Sequence, residues 1–153
     1  MEIHIDNRSG QELPLDKLKE LAVFVLEQEE VPFNTELSIS LVDLEEISHL
    51  NAQYRGKEGP TDILSFELDD PWDTQDLEEG VQLLLGDIVI NPQEAQKHAL
   101  LEEVSLEEEL WVLVIHGILH LLGFDHIQQD EALIMEERED RYFQQWEMRL
   151  GVW

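Results

Sequence analysis

The stretch from His116 to His126 reads HGILHLLGFDH, three histidines within one short segment. His116 and His120 are four positions apart, so on a helix their imidazoles lie on one face about one turn apart. That spacing lets both bind one cation at about 2.0–2.1 Å each. Gly123 allows the chain to turn back sharply, and His126 can then approach the same point as a third ligand. Three neutral imidazoles with an open fourth position describe a catalytic zinc site rather than a closed structural one. Zinc held in this way lowers the pKa of bound water to about 7 and supplies hydroxide near neutral pH, so the chemistry expected is hydrolysis. A lone histidine on an apolar helix is more often a hydrogen-bonded core residue. Two on one aliphatic face would each cost on the order of a few kcal/mol if unpaired, and a shared metal satisfies both.

Gly117 narrows the chemistry. The ligand spacing, glycine included, matches the metzincin peptidase motif H-E-x-x-H-x-x-G-x-x-H. In that motif the glutamate after the first histidine is the general base. Here the position is glycine, which disfavours peptide hydrolysis by the usual route. Asp125, beside the third histidine, either orients a ligand or caps the turn. His4, His49 and His98 are isolated in the sequence, and surface or core placement accounts for them. Arg55 and Lys57 lie between a predicted helix and strand. An arginine fork suits bidentate phosphate binding, although a solvated loop arginine is the plainer reading of composition alone. Arg138, Arg141 and Arg149 sit among glutamates and are expected to form surface salt bridges.

The elements that must position these residues follow from periodicity. Ile3 and Ile5 suggest a first strand. Leu15, Leu18, Leu21, Ala22 and Val25 recur at helical spacing from Pro14 to about Glu29. Leu37, Ile39 and Leu41 mark a half-buried strand. Asp43 and Glu46 read as a capping box opening a helix through Ile47, Leu50 and Tyr54. A polar turn, Gly56 to Pro60, precedes a strand from Ile63 to Leu68. The acidic stretch Asp69 to Gly80 reads as an exposed loop. Val81 to Ile90 is strand-like, with Gly86 marking a bulge or a close backbone approach. Asn91 and Pro92 start a helix. Ser105 and Glu108 form a capping box before the apolar helix Leu106 to Leu122, which Gly123 stops. A last helix is expected from Asp130 to about Met148.

The fold expected is α/β (α+β), a single domain spanning residues 1–153. It has a small mixed β-sheet of about four strands packed with about five helices, the zinc site lying on a buried helix.

Composition sets outer limits. The chain has 153 residues, 36 of them acidic and 9 basic, for a formal charge of −27. Such a surface should repel nucleic acid unless its few cations are gathered in one place. There is no cysteine, which excludes disulfides and thiolate metal ligands. The start lacks the basic and apolar pattern of a signal peptide, and Leu110 to Leu122 is too short to span a bilayer. A cytoplasmic location and no membrane partner are therefore expected.

HGILHLLGFDH, together with NAQYRGKEGPTDILSF and LLLGDIVI, resembles the bacterial YbeY family of ribosomal-RNA-processing endoribonucleases. The motifs stand in the family's order, and the likeness extends from about Glu36 to Leu150. It implies a metal-dependent, single-strand-specific endoribonuclease acting in small-subunit (16S) ribosomal RNA maturation and ribosome quality control, with no DNA substrate. His116, His120 and His126 correspond to the family's ligands for Zn2+, one ion per chain. Arg55 corresponds to its functionally important arginine. Asp62, Ser65, Gly86 and Asp87 fall in shared motifs and are expected to be structural. Glu67 stands where the family commonly has proline, which should alter only the strand's exit. The acidity calls for a partner to bring the RNA, such as a small-subunit ribosomal protein or a GTPase. Two other classes remain open: a zinc hydrolase with a non-RNA substrate, and a non-catalytic ribosome assembly factor in which the metal orders the fold.

Overall fold

The computed structural model describes residues 1–73, 81–124 and 128–151. In chain order its elements are β1 (Glu2–Asn7), α1 (Leu15–Gln28), β2 (Thr35–Leu41), α2 (Leu44–Arg55), β3 (Ile63–Glu67), β4 (Leu83–Ile90), α3 (Pro92–Glu102), α4 (Leu106–Leu121) and α5 (Gln129–Leu150). The four strands form one sheet in the order β1-β2-β4-β3. The β1–β2 and β2–β4 pairs are parallel, and β3 runs antiparallel to β4 along the edge. The mixed sheet with five helices is the α+β architecture expected. The acidic loop expected from Asp69 to Gly80 falls partly, at 74–80, outside the described residues.

Side-chain parity explains the layering. On β2, Leu37, Ile39 and Leu41 are buried and face the main core. On β4 the core residues are Leu83, Leu85, Ile88 and Ile90, which switch from odd to even positions. The switch is a bulge: Glu36 pairs with Leu84, but Leu37 pairs with Gly86. One extra residue on β4 returns its apolar side chains to the correct face, as strand period 2 requires. This is why LLLGDIVI shows no clean alternation in sequence. Gly86 also meets the close approach expected of it. A Cβ there would lie 2.3 Å from the Phe66 carbonyl oxygen and 2.8 Å from Leu121 Cδ2. The end of α4 therefore rests against the bulge.

Helices α1 and α4 pack on the main core, together with Met135, Tyr142 and Trp146 of α5. The opposite sheet face holds a smaller cluster of Val42, Ile47, Leu64 and Val89, covered by α2. The edge strand β3 stays paired beyond Glu67, since Leu68 N–H donates to the Leu85 carbonyl.

Two local expectations need correction. Asp43 does cap α2, accepting from Glu46 N–H at 2.8 Å, but the Glu46 carboxylate turns to Arg8 at 2.7 Å rather than completing a box. The salt bridges expected along α5 are mostly replaced by longer-range contacts. Arg138 pairs with the buried Glu29 at 2.6 Å, and Arg141 and Arg149 lie over the rings of Tyr142 and Phe24. The buried side of α5 is aromatic, with Tyr142 and Trp146 against Phe24 of α1, and it offers these guanidinium groups ring faces.

Candidate metal centre

The helix that carries the histidines is held at both ends. At its start Ser105 and Glu108 form a complete capping box. At its end Gly123, with φ of +102°, closes the helix. Its N–H donates to the His120 carbonyl, and Phe124 N–H donates to that of Leu119, each at 3.1 Å. This paired closure reverses the chain where the glycine predicted it. His126 and Asp125, expected to follow as third ligand and as orienting or capping carboxylate, lie outside the described residues.

Leu110, Val114, Ile118 and Leu121 of α4 are buried in the core, whereas His116 and His120 are only partly buried on its flank. The two histidines thus share one face, one turn apart, at the boundary of core and solvent. Glu139 of α5 reaches His116, its Oε1 lying 2.9 Å from Nδ1. An ionised carboxylate can only accept, so Nδ1 carries the proton and Nε2 is the nitrogen that would take a metal. Sequence spacing did not reveal Glu139, because the two residues meet only when α5 packs back on α4. Two imidazoles at helical spacing, one braced by a carboxylate, are a donor set that suits zinc.

Gly117 is buried against the sheet. A Cβ there would lie 2.9 Å from Ile88 Cδ1 and 3.2 Å from Ile63 Cδ1. The position that bears the base in metzincins therefore faces hydrocarbon rather than the histidines.

Arg55 ends α2 and is exposed, and it makes no hydrogen bond or ion pair with a described residue. Its backbone is well fixed. Gly56 closes α2 in the left-handed conformation, and the buried Asn51 side chain donates to the Gly59 carbonyl at 3.0 Å. Tyr54 packs edge-on against Phe66 of β3, with 5.2 Å between ring centroids. Since Ile63 of β3 also touches α4, the edge strand is the element between the Arg55 turn and the histidine helix. No described contact joins Arg55 to His116 or His120.

The chain's sequence matches the family described as Endoribonuclease YbeY over residues 4–147. It belongs to that family. Among YbeY relatives, that of Thermoanaerobacter pseudethanolicus is 42% identical over 149 residues, covering 92% of this chain and 94% of its own. That of Nocardia farcinica is 38% identical over 148 residues, covering 95% of this chain and 80% of its own. Both carry the name Endoribonuclease YbeY. The solution structure of TM1509 from Thermotoga maritima superposes with a TM-score of 0.69 at 30% identity, covering 98% of this chain and 92% of that one. That structure therefore shares the fold over nearly all of this chain. No described helix is long and apolar enough to cross a membrane.

A second group was missed by sequence reasoning. His98 of α3 is not isolated, because its Nδ1 lies 3.1 Å from Asp62 Oδ2. Glu109 of α4 joins them, with one ligand atom from each residue all within 4.8 Å of one another. Burial holds the Glu109 carboxyl above its ordinary range; His98 opposes this, while Asp62 and Glu102 add to it. His4 likewise pairs with Glu36 at 2.6 Å across β1 and β2.

Proposed function

We propose that this chain is a zinc-dependent, single-strand-specific endoribonuclease that acts on small-subunit ribosomal RNA. In this reading His116, His120 and His126 hold one zinc ion, Arg55 holds the scissile phosphate, and residues 1–153 serve as one metallohydrolase domain in the cytoplasm. Membership of the YbeY family supports the endoribonuclease activity. The observation that carries the metal reading is the partly buried histidine pair on α4 with Glu139 bonded to His116 Nδ1.

When bound, zinc supplies a Lewis acid and lowers the pKa of water. Glu139 keeps the His116 proton on Nδ1 and fixes the ring's orientation. Arg55, on its rigid turn, offers a fork of donors to the phosphate oxygens and stabilises the charge that develops on them. Gly117 leaves no carboxylate at the position that bears the metzincin base, which speaks against a peptide substrate. The ends of the cleaved RNA identify the nucleophile, since a 2′,3′-cyclic phosphate product would rule out direct attack by water. With a formal charge of −27, the chain depends on a partner, a small-subunit ribosomal protein or a GTPase, to bring it RNA.

The test is elemental analysis of untagged protein alongside cleavage of a single-stranded ribosomal RNA fragment. About one tightly held zinc per chain in the protein as purified, lost with cleavage in His120→Ala while the fold persists, is the expected result. No metal after zinc is supplied at neutral pH would overturn the zinc reading. Collapse of the fold in the same variant would favour a structural metal in an assembly factor.

A further inference from the structure

The Asp62, His98 and Glu109 group stands apart from the histidines. Glu109 precedes His116 by seven residues on α4, which places it about 10 Å along the helix axis. Three elements deliver the group. Asp62 precedes β3, where its carbonyl accepts from Asn91 N–H at 2.9 Å. His98 stands on the second turn of α3, and Glu109 on the first turn of α4.

An exposed histidine–carboxylate pair alone would need no explanation, and its worth to stability would be small. Glu109 is the difference. It is only 9% exposed and accepts no hydrogen bond from any described residue. Its carboxylate is nonetheless reachable, since Glu109 lines an open cleft and its oxygens are not sealed in the core. Here the carboxylate shares its space with a second carboxylate and an imidazole. With the His98 proton on Nε2, each of the three groups has a ligand atom to offer within 4.8 Å of the others.

We propose that Asp62, His98 and Glu109 form a second divalent-cation site, distinct from the histidine centre. Neighbouring ligands on an octahedral ion at about 2.1 Å lie roughly 3 Å apart, and the Asp62 and His98 atoms are 3.1 Å apart. One nitrogen and two carboxylate oxygens suit Mn2+ or Zn2+ and give a soft ion no advantage. A cleft of about 430 Å³, lined by His98, Glu102, Glu108 and Glu109 among others, gives an ion a negatively charged route inward. The Glu2, His4 and Glu36 group is a weaker candidate, since it is solvent-exposed at both glutamate and histidine of β1 and Glu36 already pairs with His4.

The experiment counts ions on the full chain by two routes. Wild-type protein, equilibrated with Mn2+ and then with Zn2+, is assayed for ions per chain. Binding of Mn2+ is followed by loss of the free-ion electron paramagnetic resonance signal. The variants are Glu109→Gln, which preserves shape, and His116→Ala with His120→Ala. The expected result is two ions on the wild type and one on Glu109→Gln, with Mn2+ affinity at the lost site falling at least tenfold. The double-alanine variant should keep the ion that depends on Glu109. If that variant does not fold, the wild-type and Glu109→Gln counts decide alone. A wild type with one ion, unaffected by Glu109→Gln, would overturn the second site and leave the histidine reading intact. Ion binding that depends on Glu109 alone would support it and overturn the histidine reading instead.

Discussion

Glu139 of α5 accepts a hydrogen bond from Nδ1 of His116 on α4 across 2.9 Å, although 23 residues separate them. The residue before it, Arg138, pairs with the buried Glu29 at the end of α1 and lies 4.9 Å over the ring of Phe124. Two consecutive residues of α5 thus hold the first histidine and the residue that follows the closing turn of α4. The last helix packs a carboxylate against the first histidine.

If Glu139 orients His116, removing it should weaken zinc binding without unfolding the protein. Glu139→Ala is expected to lower zinc affinity by about 10–100-fold, the usual effect of losing a carboxylate behind a histidine ligand. Glu139→Gln keeps an acceptor oxygen and should fall between the two. Competition against a chelator at neutral pH measures this. Equal affinities in all three proteins would show that Glu139 is incidental.

Arg55 is exposed and has no described partner, so its removal should leave the fold alone. Arg55→Ala is expected to shift stability by less than about 0.5 kcal/mol. Cleavage of single-stranded RNA should fall by roughly 10²–10³-fold, the cost of losing one donor to developing charge. Arg55→Lys keeps the charge but not the fork and should recover only part. Thermal melts and single-turnover cleavage supply the two readouts, and a variant that cleaves at the wild-type rate would remove Arg55 from the mechanism.

Gly117 offers a test of why this helix lacks the peptidase base. Its Cβ would press on the ends of Ile88 and Ile63. In Gly117→Ala, helix propensity gains about 1 kcal/mol, which offsets that crowding, so near-neutral stability is expected. Gly117→Glu would drive a carboxylate between two isoleucines and should destabilise by about 3 kcal/mol or more. Urea unfolding and a peptide-hydrolysis assay should show a weakened protein with no peptidase activity. A stable, proteolytic Gly117→Glu would contradict the geometry.

Tyr142 is buried and donates its hydroxyl hydrogen to Glu29. Burial first, and then that hydrogen bond, holds the phenol above its ordinary value. A raised phenol favours the protonated, folded form. The stability it contributes is complete below the unfolded pKa of about 10 and is lost as pH climbs through the folded value. The urea midpoint of wild-type protein should therefore fall above about pH 10 more steeply than that of Tyr142→Phe. Parallel slopes from pH 8 to 11.5 would rule out this linkage.

Much of the architecture was legible in the sequence because its causes are local. The capping box at Ser105 and Glu108, the cap at Asn91 and Pro92, and the closing glycine at Gly123 each act within one helical turn. The alternation of Leu37, Ile39 and Leu41 declares a buried face by itself. The one-face placement of His116 and His120 follows from helical period alone. Gly86 announced a bulge or a close approach, and both occur.

Other features depended on which elements came together. Glu46 prefers Arg8 to its own helix start because β1 lies close enough to bring that guanidinium. Arg138 leaves the α5 glutamates for Glu29, 109 residues earlier in the chain. Glu139 meets His116, and His98 meets Asp62 and Glu109, only through packing between separate elements. A sequence displays period and capping, which are properties of neighbours along the chain. It does not display the crossing of two helices or the order of strands in a sheet. Those are settled by collective burial of side chains, and only the tertiary structure decides which charged groups then face each other.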